Sequence, residues 1–160
     1  MSPIARTLAG LALTTTLSTA VAAQGLVTQK NILLAMAPTI AQAAVAQCES
    51  MGFKVSVTVA DRAGLPIVML RGDGAGLHTP EGAERKACTA RTFSQPSADF
   101  VKRLTKRLGS RQYTRVLALA GGLPIKAGSE VVGAVGVSGS PGKDDVGSQA
   151  GIDKVADQLK

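Results

Sequence analysis

The chain has 160 residues, of which 45% are hydrophobic and 18% charged, proportions typical of one globular domain rather than a disordered segment. Its formal net charge is +7, so nucleic acid, an anionic membrane or an anionic ligand are the partners to consider. Three phenylalanines, one tyrosine and no tryptophan leave little surface for base stacking, which argues against nucleic acid.

The first 23 residues have the pattern of a secretory signal peptide. Arg6 precedes an apolar, hydroxyl-rich run from Leu8 to Val21, and small residues ending at Ala23 suit a cleavage site. The run falls short of the roughly 20 apolar residues that a bilayer span needs, and no later segment qualifies. We therefore expect cleavage of residues 1–23 and one periplasmic or secreted domain, residues 24–160, without membrane insertion.

A helical pattern and a hairpin pattern follow. Thr28 to Met51 is alanine-rich with helical spacing, and Pro38 within it predicts either a kink or a new helix start. Phe53 to Val59 alternates apolar and polar residues as a strand does. A turn at Asp61 to Gly64 then returns the chain as a second strand, Leu65 to Arg71.

A second helix begins where Thr79, Pro80 and Glu81 combine an N-cap residue, a first-turn proline and a first-turn acid. We expect it to reach about Phe93, with a short amphipathic helix over Ala98–Leu108 after it. Strands are predicted over Thr114–Ala120, Leu123–Lys126 and Glu130–Ser138, and a last helix over Asp144–Leu159. Runs of consecutive strands favour an α+β domain, with an antiparallel sheet of about five strands flanked by helices.

Few residues offer conventional catalytic or metal chemistry. Cys48 and Cys88 each lie in a helical pattern among small apolar residues, which favours two buried thiols over a disulfide. With one histidine, His78, they do not supply a tetrahedral zinc site. The glycine-rich loop over residues 72–76 has the wrong spacing for a dinucleotide fingerprint, so a nucleotide cofactor is disfavoured.

The helix after Thr79 carries the candidate ligand-binding face. Lys86, Thr89 and Phe93 share this face, and a cation one turn from a hydroxyl beside an aromatic ring suits a large planar ligand with carboxylates. The alternatives are a lysine extended to solvent and a threonine bonded to a helix carbonyl. His78, at the entrance of the helix, is either a heme ligand or a loop residue.

Five separated segments form a further pattern, in this order: Val57–Gly64, Leu70–Ala75, Glu84–Ala90, Gly121–Ile125 and Val132–Gly139. Together they resemble the GlcG/HbpS-like (DUF336) family of small heme-binding domains, which is related to the C-terminal domain of some cobalamin adenosyltransferases. The resemblance implies a profilin-like fold, a homo-oligomer and bound heme. It places Thr89 at the iron, with His78 as alternative ligand, and Lys86 or Arg85 near the propionates, beside Phe93.

The leading hypothesis is therefore an exported heme-binding protein for heme capture, storage, or redox or heme sensing. A weak oxygen ligand would leave the heme exchangeable, which favours those roles over tight catalytic use. Two alternatives stay open. One is a small-molecule enzyme linked to glycolate or other 2-hydroxy acid metabolism. The other is a sensor accessory module that contacts a membrane sensor or transport partner through its basic helix face: Lys102, Arg103, Lys106 and Arg107.

Overall fold

The computed structural model of the chain describes residues 25–104 and 113–160. Its elements follow the order α1 Ala37–Ser50, β1 Ser56–Ala60, β2 Pro66–Arg71, α2 Thr79–Phe93, α3 Ser97–Leu104, β3 Gly122–Ala127, β4 Glu130–Ser138 and α4 Asp144–Asp153. A 3-10 turn over Ala156–Gln158 comes last. The predicted α+β class is confirmed, and the described residues form one sheet of four strands where about five were predicted.

The strands lie in the order β2-β1-β4-β3, and each neighbouring pair is antiparallel. All five residues of β1 are buried, because helices cover both faces of the sheet. Val57 and Val59 point into the main apolar core, which they share with Ile40 of α1. Ser56 and Thr58 alternate with them and therefore face α2 on the other side.

Helix α2 rests directly on the sheet because two glycines leave room for its backbone. A Cβ at Gly136 of β4 would overlap the carbonyl oxygen of Ala83, and one at Gly122 of β3 would overlap that of Lys86. The small residues of the helix complete this contact, and Ala87 is fully buried against the sheet. The alanines of α2 therefore serve to pack the helix against the sheet.

One predicted element was wrong, and two boundaries moved. The helix expected from Thr28 begins only at Ala37, because Pro38 occupies its first turn, where the missing N–H costs nothing. The strand expected over Thr114–Ala120 does not form, since side chains of α2 and α3 take up its backbone groups. The last α-helix ends at Asp153 rather than Leu159, and a 3-10 turn continues the chain.

Both cysteines are free and buried, as predicted. The predicted signal peptide lies outside the described residues, as do residues 105–108 at the end of the predicted amphipathic helix. Within residues 25–104 and 113–160, every helix is too short or too polar to cross a bilayer.

Candidate functional site

The two predicted iron ligands lie far apart on α2. His78 precedes the first residue of the helix and is exposed, whereas Thr89 is fully buried. Thr89 comes 11 residues after His78. At the rise of an α-helix this spacing is about 16 Å along the axis. One ligand site therefore cannot use both side chains, and they define alternative positions.

The hydroxyl of Thr89 is already engaged. It donates toward the Arg85 carbonyl oxygen at 2.7 Å and the Leu117 carbonyl oxygen at 3.2 Å, and it accepts from the Leu117 N–H at 2.8 Å. The helix-carbonyl bond is the alternative that the sequence left open. The contact with Leu117 is additional and places a loop backbone over the hydroxyl. An iron ion can reach this oxygen only if the Leu117 backbone moves away.

Lys86 is neither extended to solvent nor turned to an open cavity. It is 3% exposed, and its Nζ donates to Asp144 Oδ2 at 2.7 Å and to the Val137 carbonyl oxygen at 3.1 Å. The other oxygen of Asp144 accepts from the backbone N–H and the hydroxyl of Ser140. This network occupies the ammonium group with protein partners. A role for Lys86 near the propionates stays a prediction.

Arg85 lies at the wall of a cavity of about 390 Å³ between α2, α3 and the loop before β3. One terminal nitrogen donates to Glu81 at 3.1 Å and the other to the Val116 carbonyl oxygen at 3.0 Å. Its Nε is buried and has no partner among the described residues. Apart from Arg85 the wall is apolar: Val101, Leu104, Val116, Leu117, Ala118 and Leu119.

Phe93 supports this cavity from behind. Its ring stacks on Phe100, with centroids 4.0 Å apart and an angle of 15° between the planes. The stacked pair packs in one apolar cluster with Leu104 and Val116, which also line the cavity. Phe93 therefore shapes the wall through its neighbours rather than by direct exposure to the cavity.

The segment that closes the site was not recognised from the sequence. Residues 113–119, which we call the strap, cross α2 and are held by side chains instead of a strand partner. Arg115 donates to the Gly64 carbonyl oxygen at 2.9 Å, Thr89 holds Leu117, and Ser97 Oγ donates to the Leu119 carbonyl oxygen at 2.7 Å. The apolar run from Val116 to Leu119 is typical of a buried strand, and this pattern concealed the role of the strap.

A second, larger groove does not involve the predicted site residues. It has a volume of about 670 Å³, opens between α3, α4 and β3, and carries three carboxylates, Asp99, Asp145 and Asp153. Within the described ranges, no three His, Cys, Asp or Glu side chains come close enough together to hold a metal ion. The cavity at Arg85 is therefore the place where the predicted residues and the geometry coincide.

The structure defines the class of this protein as a single α+β domain. Its cavity lies between the second helix and a loop that side chains hold in place. Residues 32–152 match the family described as haem degrading protein HbpS-like, and the chain belongs to this family. It is 32% identical, over 72% of this chain and 84% of the relative, to an uncharacterized 15.0 kDa protein in the dhaT-dhaS intergenic region of Citrobacter freundii.

One solved structure supports the same assignment, and a second shares the fold. A double mutant of HbpS from Streptomyces reticuli is 38% identical and superposes with a TM-score of 0.78 over 85% of this chain and 96% of that chain. The PduOC protein, solved as a heme complex, is 23% identical with a TM-score of 0.72 over 78% of this chain and 94% of that one. At that identity the second similarity concerns the fold alone. The family membership confirms the resemblance and gives the chain a heme-related function.

Proposed function

We propose that this protein binds heme in the cavity between α2, α3 and the strap. The observation that carries the proposal is Arg85, the one charged residue at the wall of an otherwise apolar cavity in the described part of the chain, whose buried Nε has no hydrogen-bond partner there. A guanidinium binds a carboxylate through short, charge-assisted hydrogen bonds, and a porphyrin combines propionates with a flat apolar ring. The residues present therefore fit the two halves of such a ligand.

Thr89 is the better candidate for the iron ligand because it adjoins the cavity. Its hydroxyl contacts Arg85 and Leu117, both of which line the cavity, whereas exposed His78 lies at the opposite end of α2. A hydroxyl oxygen is a weak ligand compared with an imidazole or a thiolate. Heme held this way exchanges readily, so the proposed role is heme capture, storage or sensing.

Two observations outside the cavity support a heme ligand. The family is described by haem degradation, and a protein of the same fold, PduOC, has been solved with heme. Export of residues 24–160 to the periplasm or the outside, and assembly into a homo-oligomer, belong to the same proposal. The mass of the mature chain in a periplasmic extract and its light-scattering mass in solution test these two parts directly.

A hemin titration followed at the Soret band tests the proposal. Wild-type protein should give saturable binding, and Arg85→Gln should weaken the affinity by about tenfold to a hundredfold, since a hydrogen bond to a charged group contributes roughly 1.5–3 kcal/mol. Thr89→Ala should shift the Soret maximum, because the iron loses a ligand. His78→Ala serves as the control and should bind as wild type does.

Three results of the titration would contradict different parts of the proposal. Absence of a Soret change in wild type overturns heme binding. Loss of binding in His78→Ala with an unchanged Thr89→Ala moves the iron to the loop before α2 and overturns the proposed cavity. Equal affinity in Arg85→Gln and wild type removes the propionate contact on which the proposal rests.

A further inference from the structure

The hydroxyl of Thr89 has two uses that exclude each other. In the structure it accepts the Leu117 N–H at 2.8 Å and lies 3.2 Å from the Leu117 carbonyl oxygen, so the loop backbone covers it. A ligand at the same oxygen needs the space that this backbone fills. We propose that Thr89 is a latch, which holds the strap on α2 in the free protein and releases it when heme binds.

This inference rests on the proposed function and adds a coupling between the ligand and residues 113–119. Arg85 shows the same competition as Thr89. Its terminal nitrogen donates to the Val116 carbonyl oxygen at 3.0 Å, and a propionate drawn to this guanidinium competes for that bond. Two adjacent strap residues, Val116 and Leu117, thus bond to the two α2 side chains that the ligand would claim.

The strap depends on these side chains because it has little structure of its own. Among the described residues its internal backbone bonds are limited to Val116 N–H to Tyr113 at 3.1 Å and Leu119 N–H to Leu117 at 3.0 Å. The Leu117 N–H instead uses the Thr89 oxygen. Segments with few backbone bonds open at low free-energy cost, so loss of the latch frees this amide first.

The two ends of the strap are anchored unequally. Ser97 Oγ is fully buried, donates to the Leu119 carbonyl oxygen at 2.7 Å and accepts from the Gly122 N–H at 2.8 Å. Arg115, at the other end, is 45% exposed; it donates to the Gly64 carbonyl oxygen at 2.9 Å and lies 3.5 Å from Glu84, and ion pairs of this exposed kind contribute little. The strap should therefore open from its Arg115 end and pivot near Leu119.

Hydrogen exchange of the peptide spanning the strap, measured by mass spectrometry, tests the latch. In Thr89→Val, without hemin, exchange at Leu117 should be about fivefold faster, because one net hydrogen bond is lost. Hemin added to wild type should produce the same acceleration. Thr92→Val is the matched control: its residue lies on the same helix, is exposed, and has its hydroxyl 3.9 Å from Cys88 Sγ rather than near the strap.

The outcomes separate the latch from heme binding itself. A saturating Soret change with unchanged or slower strap exchange overturns the latch and leaves heme binding intact, whereas no Soret change overturns both. If Thr89→Val fails to fold, Arg115→Gln provides the second test. Loss of the outer anchor should speed hemin association severalfold without a change at Thr89, and an unchanged association rate counts against the latch.

Discussion

Lys86 Nζ lies 2.7 Å from Asp144 Oδ2, and the two side chains are only 4% and 12% exposed. The pair connects α2 to the first residue of α4, which packs on the opposite face of the sheet. Because the Val137 carbonyl oxygen and Ser140 supply further hydrogen bonds, both charges are compensated inside the protein.

Removing one partner of this pair should destabilise the fold strongly. In Lys86→Met the Asp144 carboxylate stays buried without its cation, and we expect a loss of about 3 kcal/mol in the free energy of unfolding. Urea unfolding followed by circular dichroism measures it. The double variant Lys86→Met/Asp144→Asn should recover part of the loss, since no uncompensated charge remains. A loss below about 1 kcal/mol in Lys86→Met would show that the carboxylate reaches solvent.

Thr58 should be replaceable by valine with a gain in stability. Its hydroxyl is fully buried between β1 and α2 and has no hydrogen-bond partner among the described residues. Thr58→Val removes the unsatisfied group with little change in shape, so we expect a gain of about 1 kcal/mol in thermal or urea unfolding.

Thr79→Val is the matched control for that substitution. The Thr79 hydroxyl bonds to Ser56 Oγ at 2.8 Å and to the Gly76 carbonyl oxygen at 2.7 Å, and the residue is equally buried. The same chemical change should therefore cost about 2 kcal/mol there. Equal effects of the two variants would mean that Thr58 has a bound partner such as a water molecule.

Gly136 should tolerate no side chain. Its Cβ would overlap the Ala83 carbonyl oxygen and lie 2.6 Å from the Ala87 nitrogen, both backbone atoms of α2. Gly136→Ala should lower the free energy of unfolding by roughly 3 kcal/mol, because a packed helix has to shift. Gly128→Ala is the control: the position has φ +61 but nothing within 4 Å of the added atom. Its cost should be about 1 kcal/mol, from backbone strain alone.

Cys48 should make stability fall at alkaline pH. Burial raises the pKa of this thiol above its ordinary value of 9.0, an effect opposed in part by the hydrogen bond with Ser140. The folded protein therefore keeps the proton longer than the unfolded chain does, and stability is lost as the pH rises from about 9 through the folded pKa. Below that range the contribution is fully present.

Urea unfolding at several pH values, compared between wild type and Cys48→Ala, measures this contribution. The stability difference between the two proteins should shrink above about pH 9, because the variant lacks the thiol. Parallel curves across the alkaline range would show that the thiol ionises equally well in both states. The comparison cancels the contributions of the ionisable groups that the two proteins share.

The sequence located most elements because their signals are local. The start of α2 follows from Thr79, Pro80 and Glu81, and the hairpin from its alternation and turn residues. The start of α1 at Ala37, with Pro38 in its first turn, was one of the two outcomes that the proline allowed. The strap was mistaken for a strand because its residues suit a sheet, while the groups that hold it, on Thr89 and Ser97, are distant in sequence.

The candidate site was predictable to the level of the helix face but no further. Spacing placed Lys86, Thr89 and Phe93 together, and all three lie on α2 as expected. Helical spacing carries no information on contacts between residues distant in sequence. Asp144, the ion-pair partner of Lys86, lies 58 positions further along the chain. The same holds for Leu117 over Thr89, and for the apolar wall beside Arg85.

The contact between Gly136 and α2 sets the distance of the whole helix from the sheet. The helix backbone packs against the strand without a side chain between them. Arg85 at the cavity wall and Thr89 under the strap both belong to that helix. Any homologue with a larger residue at the position of Gly136 must carry its second helix further from the sheet. The absence of one methyl group in β4 thus determines where the cavity at Arg85 can form.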